Sequence, residues 1–102
     1  MVFTKYLSVK TRGNTEILDI TDKVQAAITE SGLLSGIAAL FNVGSTAGLT
    51  TLEYEPGLVQ YDIKALFERI APENAPYEHE KTWNDDNGHS HLRASLLGPS
   101  LT

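Results

Sequence analysis

The chain has 102 residues, with 13 acidic against 8 basic side chains, a net charge of -5 and no cysteine. That length suits one domain able to bury a core without staples. The acidic balance argues against nucleic acid as a partner, and the absence of thiols excludes disulfides, thiolate zinc sites and a cysteine nucleophile.

No apolar run approaches a membrane span, and the N-terminus alternates polar and apolar residues where a signal peptide needs a continuous apolar core. A cytoplasmic protein with no membrane partner is expected. Phe3, Lys5, Leu7 and Val9 share one face of an extended segment, so residues 3–9 read as a strand. Arg12-Gly13-Asn14 is a turn signal, and residues 16–20 make a second short strand that could complete a hairpin. Thr21 is placed to cap a helix over residues 22–31, with Asp22 in its first turn and Gly32 as its C-terminal stop. Residues 36–43 are nearly all apolar and read as a central strand, followed by the Gly44-Ser45-Thr46-Ala47-Gly48 turn and a further strand over 49–54.

Pro56 opens a second helix, because its missing N–H costs nothing in the first turn. Val59, Ile63, Leu66, Phe67 and Ile70 form its apolar stripe, Lys64 and Glu68 stand at ion-pair spacing, and Pro72 limits it near Ala71. Residues 74–83 are charged and contain Pro76, which predicts a loop. Residues 91–97 have helical spacing and stop at Gly98-Pro99. The order predicts one α+β domain with a largely antiparallel sheet and two to three helices.

The chemistry-bearing residues concentrate near the end. His79, His89 and His91 fall within thirteen residues, and neutral imidazole is the commonest metal ligand. His89 and His91 share a face only if the backbone between them is extended, since residues two apart diverge on a helix. Asp85 and Asp86 suit either a divalent cation or the cap of the helix that follows. Arg93, with its planar fork, is a candidate for holding phosphate. Ser45 and Thr46 lie in a glycine-flanked turn where backbone N–H groups can approach an anion, although the GK[ST] ending of a Walker loop is missing. Glu53 and Glu55 share a strand face, as a carboxylate pair or a solvated one. No GxSxG supports a nucleophile elbow.

Three blocks together resemble a known family. They are the run from Gly44-Ser45-Thr46-Ala47-Gly48 through Leu52-Glu53-Tyr54-Glu55-Pro56-Gly57-Leu58, then Tyr77-Glu78-His79, then Asp85-Asp86-Asn87-Gly88-His89-Ser90-His91-Leu92 with Ala94-Ser95-Leu96-Leu97-Gly98-Pro99-Ser100. They are similar to the YjbQ family, described as secondary thiamine-phosphate synthase. The resemblance implies a compact α+β sandwich that assembles as a trimer with pockets near subunit boundaries, His79 and His91 at the family's histidine positions, Glu53 at its strand glutamate and Asp86 in its acidic stretch. Two departures stand out: Gly44 replaces a histidine found in many members, and members continue past the position of Thr102 into strands with a GTWQ-like segment.

The expected activity joins a hydroxymethylpyrimidine pyrophosphate to a thiazole phosphate, with a phosphorylated small molecule as substrate. A divalent cation, Zn²⁺ or Mg²⁺, would be held by His79, His89, His91 and Asp86. Asp86, His91 and Glu53 are the expected catalytic groups, and Ser45, Thr46 and Arg93 the phosphate-binding ones. The alternatives are a non-catalytic metal- or anion-binding trimer and a metal-dependent phosphate hydrolase.

Overall fold

The computed structural model describes all 102 residues, with elements in the order α1 (Thr21–Ser31), β1 (Leu40–Phe41), α2 (Ile63–Ile70), α3 (Glu78–Trp83), α4 (Gly88–Leu97) and β2 (Ser100–Leu101). A π-helical segment, Leu58–Asp62, leads directly into α2. The fold is α+β with antiparallel pairing, Leu40 opposite Leu101 and Phe41 opposite Ser100. That pair is the whole sheet. No helix is long and apolar enough to cross a membrane.

Residues 1–20 form no ladder, so the expected hairpin is absent. An alternating pattern supplies a face, but a strand needs a partner backbone. The turn between the two segments has Gly13, Asn14 and Thr15 all at positive φ, 80°, 50° and 69°. For the β-branched Thr15 that is a strained conformation. The run over 36–43 likewise contributes only Leu40–Phe41 to the sheet. With so little sheet the chain is a slab of 49 × 33 × 19 Å, and its radius of gyration of 15.9 Å exceeds the roughly 13 Å of a closed domain this size.

α1 keeps its expected limits, and Gly32 closes it with φ 72°. Its start differs in detail. Thr21 is the first helical residue, and Asp19 Oδ1 accepts both the Thr21 N–H at 2.9 Å and its hydroxyl at 2.6 Å. The helix after Pro56 is capped by Glu55, whose carboxylate accepts the N–H groups of Gly57 and Leu58 at 2.8 and 2.6 Å. Glu55 is therefore engaged in the helix terminus and does not pair with Glu53. The expected loop over 74–83 is helical from Glu78: Glu78 and Glu80 sit in the first turn, where the helix dipole favours anions, and Asn84 ends the helix at φ 54°.

The buried residues gather in one knot, formed by Phe67 and Ala71 at the end of α2 with Gly88, His89, Arg93 and Ala94 on α4. Arg93 is its centre. Nε donates to the Ala71 carbonyl at 2.9 Å, Nη1 to Thr15 Oγ1 at 2.9 Å and Nη2 to Glu68 Oε1 at 2.7 Å. The guanidinium carbon lies 5.7 Å from the Phe67 ring centroid. One cation thus joins the strained turn, α2 and α4. Glu68 turns to Arg93 rather than to Lys64 as its hydrogen-bond partner, and that bond holds its carboxyl below the usual range.

Candidate functional site

α4 begins three residues earlier than its apolar spacing suggests, at Gly88, because its first N–H is satisfied from another element. Glu80 on α3 turns its carboxylate to Gly88 N at 2.7 Å. A side chain at 88 could not be accommodated: a Cβ there would lie 2.6 Å from Glu80 Oε1 and 2.9 Å from Tyr77 Cβ. Glycine thus permits the close approach of α3 to α4.

The earlier start makes residues 89 and 91 helical, so their side chains point about 200° apart around the axis. The expected grouping of His79, His89, His91 and Asp86 is accordingly divided between two clefts. His91 faces α3, where its ring centroid lies 4.5 Å from that of His79 with a 58° tilt. These two histidines line an open cleft of about 320 Å³ with Tyr77, Glu78, Gly88 and Leu92. His89 and Asp86 line a separate cleft of about 220 Å³.

Beside the histidine pair, His79, Glu80 and Asp85 each present one ligand atom within 4.8 Å of the others. His79 Nε2 is 3.4 Å from Asp85 Oδ1. Asn87 lies against both: with its amide nitrogen turned toward them, it donates to the Asp85 carboxylate oxygens at 3.2 Å and to His79 Nε2 at 3.0 Å. Ligands about 2.0–2.2 Å from an ion are separated by at most about 4.4 Å, so this nitrogen–oxygen set closes on a divalent cation with small side-chain movements. The donor types fit Zn²⁺, and the carboxylates also suit Mg²⁺. Glu80 was not singled out in the sequence because its segment read as a loop. The signal was there in Pro76 followed by acids at first-turn positions.

The other candidates sit elsewhere. Ser45 and Thr46 are exposed. Their turn is tied to the far end of α4, with Asn42 N donating to Pro99 O at 2.7 Å and Leu49 N to Gly98 O at 3.1 Å. Seven residues of helix, about 10 Å of rise, separate Gly98 from His91. Arg93 is buried among protein partners. Glu53 is exposed and lines neither cleft.

An α+β body thus brings a histidine and two carboxylates together between two short helices, a donor set of the kind that can bind a cation. Comparison with known proteins places it more closely. The sequence matches the family described as UPF0047 protein YjbQ-like over residues 5–102. A UPF0047 protein of Methanothermobacter thermautotrophicus is 38% identical over 101 residues, covering 99% of this chain and 68% of its own length. YugU of Bacillus subtilis is 33% identical over 97 residues, covering 94% and 70%. The crystal structure of an uncharacterized YjbQ/UPF0047 protein from Clostridium acetobutylicum superposes with a TM-score of 0.78 at 33% identity, over 91% of this chain and 69% of that one. The chain belongs to the YjbQ (UPF0047) family, and it spans about two thirds of the length of these relatives.

Proposed function

We propose that this protein is a cation-dependent enzyme acting on a phosphorylated small molecule, joining a hydroxymethylpyrimidine pyrophosphate to a thiazole phosphate. The observation that carries the cation requirement is the His79–Glu80–Asp85 cluster beside His91. The reaction itself comes from the family resemblance. In it the bond between the methylene carbon and pyrophosphate breaks, pyrophosphate departs with the electron pair, and the thiazole supplies the new bond.

A divalent cation held by His79, Glu80 and Asp85 would neutralise charge on the departing pyrophosphate. Asn87 orients His79 and Asp85. His91, in ring contact with His79, faces the same open cleft and is placed to hydrogen-bond a substrate there. Ser45, Thr46 and the backbone of their turn are the phosphate candidates. Because that turn sits at the far end of α4, the reading includes a homotrimer in which one subunit's turn approaches the histidines of another. Leu34, Ile37, Phe41 and Val43 are exposed along one stretch, which supports burial by a second copy.

The test is thiamine phosphate formation by the pure protein with Mg²⁺ or Zn²⁺, compared with His79→Ala and His91→Ala. Activity that needs the cation and falls at least about a hundredfold in each variant is expected. An assembled, cation-loaded protein without activity would leave a non-catalytic ion-binding role. Phosphate release from simple esters, abolished by chelator, would instead identify a hydrolase.

A further inference from the structure

We propose that Asn87 is the fourth protein ligand of the cation cluster: its side-chain oxygen binds the ion, and when the ion leaves, a half-turn of the amide puts the nitrogen in the same place as a hydrogen-bond donor. The inference rests on the cation reading of His79, Glu80 and Asp85 given above.

One terminal position of the Asn87 amide lies 3.0 Å from His79 Nε2 and 3.2 Å from each Asp85 carboxylate oxygen. His79 Nε2 and Asp85 Oδ1 are themselves 3.4 Å apart. Neighbouring ligands around a tetrahedral ion with bonds of about 2.0–2.1 Å stand about 3.3–3.4 Å from one another, and around an octahedral one about 2.9 Å. The three groups are therefore spaced as ligands of one ion are. Asn87 occupies a corner of such a polyhedron, not its centre. Rotation about Cβ–Cγ exchanges its oxygen and nitrogen and leaves the rest of the residue in place.

The two orientations suit two chemical states. With the nitrogen inward, Asn87 donates to Asp85 and to His79 Nε2. A ring nitrogen that accepts carries a lone pair, so the neutral His79 ring holds its proton on Nδ1. That is the tautomer in which Nε2 can take a metal. An ion takes this lone pair, and an amide N–H beside it would then point hydrogen at a cation. With the oxygen inward, at 3.0 Å from Nε2, the amide offers its negative end instead. Side-chain amide oxygens are regular ligands of hard divalent ions.

The Asn87 side chain is free to turn. It makes no cap bond to α4, whose first N–H is taken by Glu80. Its backbone is held meanwhile, because the Asn87 carbonyl accepts the N–H groups of Ser90 and His91 at 3.0 and 3.2 Å.

The experiment titrates Zn²⁺ into the intact, metal-free protein, following the Asn87 side chain by NMR and the affinity by calorimetry. At saturation the Asn87 NH₂ signals should lose their hydrogen-bonded shift, and its side-chain carbonyl carbon should move. Asn87→Ala should bind at least about tenfold more weakly. Asn87→Asp keeps an oxygen and loses the donor, and should bind no more weakly than the parent. A donor that only orients the other ligands would keep its shift at saturation, and both variants would lose it equally. Circular dichroism checks that each variant keeps its helices, and the NMR readout on the parent stands without them. Three results would overturn the proposal while leaving the cation cluster intact: Zn²⁺ binding with unchanged Asn87 amide signals, parental affinity in Asn87→Ala, or Asn87→Asp weakened as much as Asn87→Ala. No Zn²⁺ binding by the parent would remove the cluster reading and this one together.

Discussion

Glu80 Oε1 accepts the backbone N–H of Gly88 at 2.7 Å, and through that bond the side chain of one short helix sets the first turn of the next. The same contact places His79, the neighbour of Glu80, against His91 on the facing turn of α4. Neither helix carries a side-chain cap of its own. One carboxylate therefore both caps the start of α4 and belongs to the His79–Glu80–Asp85 cluster.

Gly88→Ala should break this arrangement. The added methyl would overlap Glu80 Oε1 and the Tyr77 ring, so α3 must move away or Glu80 must release the N–H. Overpacking of this kind costs about 1–3 kcal/mol. Chemical denaturation should show that loss, and NMR should show separation of the His79 and His91 rings. A variant with parental stability and unchanged ring contacts would mean that the α3–α4 approach is looser than described.

Arg93→Lys should be far from conservative. Lysine cannot reach Ala71, Thr15 and Glu68 at once, and it leaves a buried carbonyl and hydroxyl short of a donor. The expected loss is about 2–4 kcal/mol, measured by denaturant unfolding. The Gly13–Thr15 turn should loosen with it, seen as faster amide exchange over residues 13–15. The substitution therefore also separates a structural role for Arg93 from a phosphate-binding one: unchanged stability with weakened phosphate binding would favour the latter.

Stability should fall in acid. Glu68 has its carboxyl lowered chiefly by the hydrogen bond from Arg93, Glu16 by that from Arg12 and Asp19 by that from Thr21. A lowered folded-state value means the contribution is fully present above the unfolded value, about 4 for such groups, and is lost as pH falls through the folded value. Melting temperature should drop as pH falls below about 4, and Glu68→Gln should flatten part of that slope. An identical slope in the variant would remove the Arg93–Glu68 pair from the explanation.

What the sequence made legible was whatever is decided locally. Gly32 and the stripe of α1 announced that helix, Pro56 and the spacing from Val59 to Ile70 announced the next, and Gly98-Pro99 marked the end of α4. What it hid was decided by partners distant in the chain. The cap on Gly88 comes from Glu80 on another helix, so the start of α4 could not be read from residues 85–91 alone. That error carried into the site, because an extended 89–91 would have joined His89 to His91 whereas a helical one sends His89 toward Asn14. Glu68 chose Arg93, twenty-five residues away, over Lys64 one turn back. The histidines and acids of residues 79–91 were legible as a cluster of titratable side chains, but their division into two clefts needed the helix geometry.

The most direct measurement is isothermal calorimetry of Zn²⁺ and Mg²⁺ into the metal-free protein at neutral pH. The His79–Glu80–Asp85 cluster predicts one ion per chain for at least one of these metals, strongly weakened in His79→Ala and Asp85→Asn. Absence of binding heat for either ion, or binding unchanged in both variants, would contradict it.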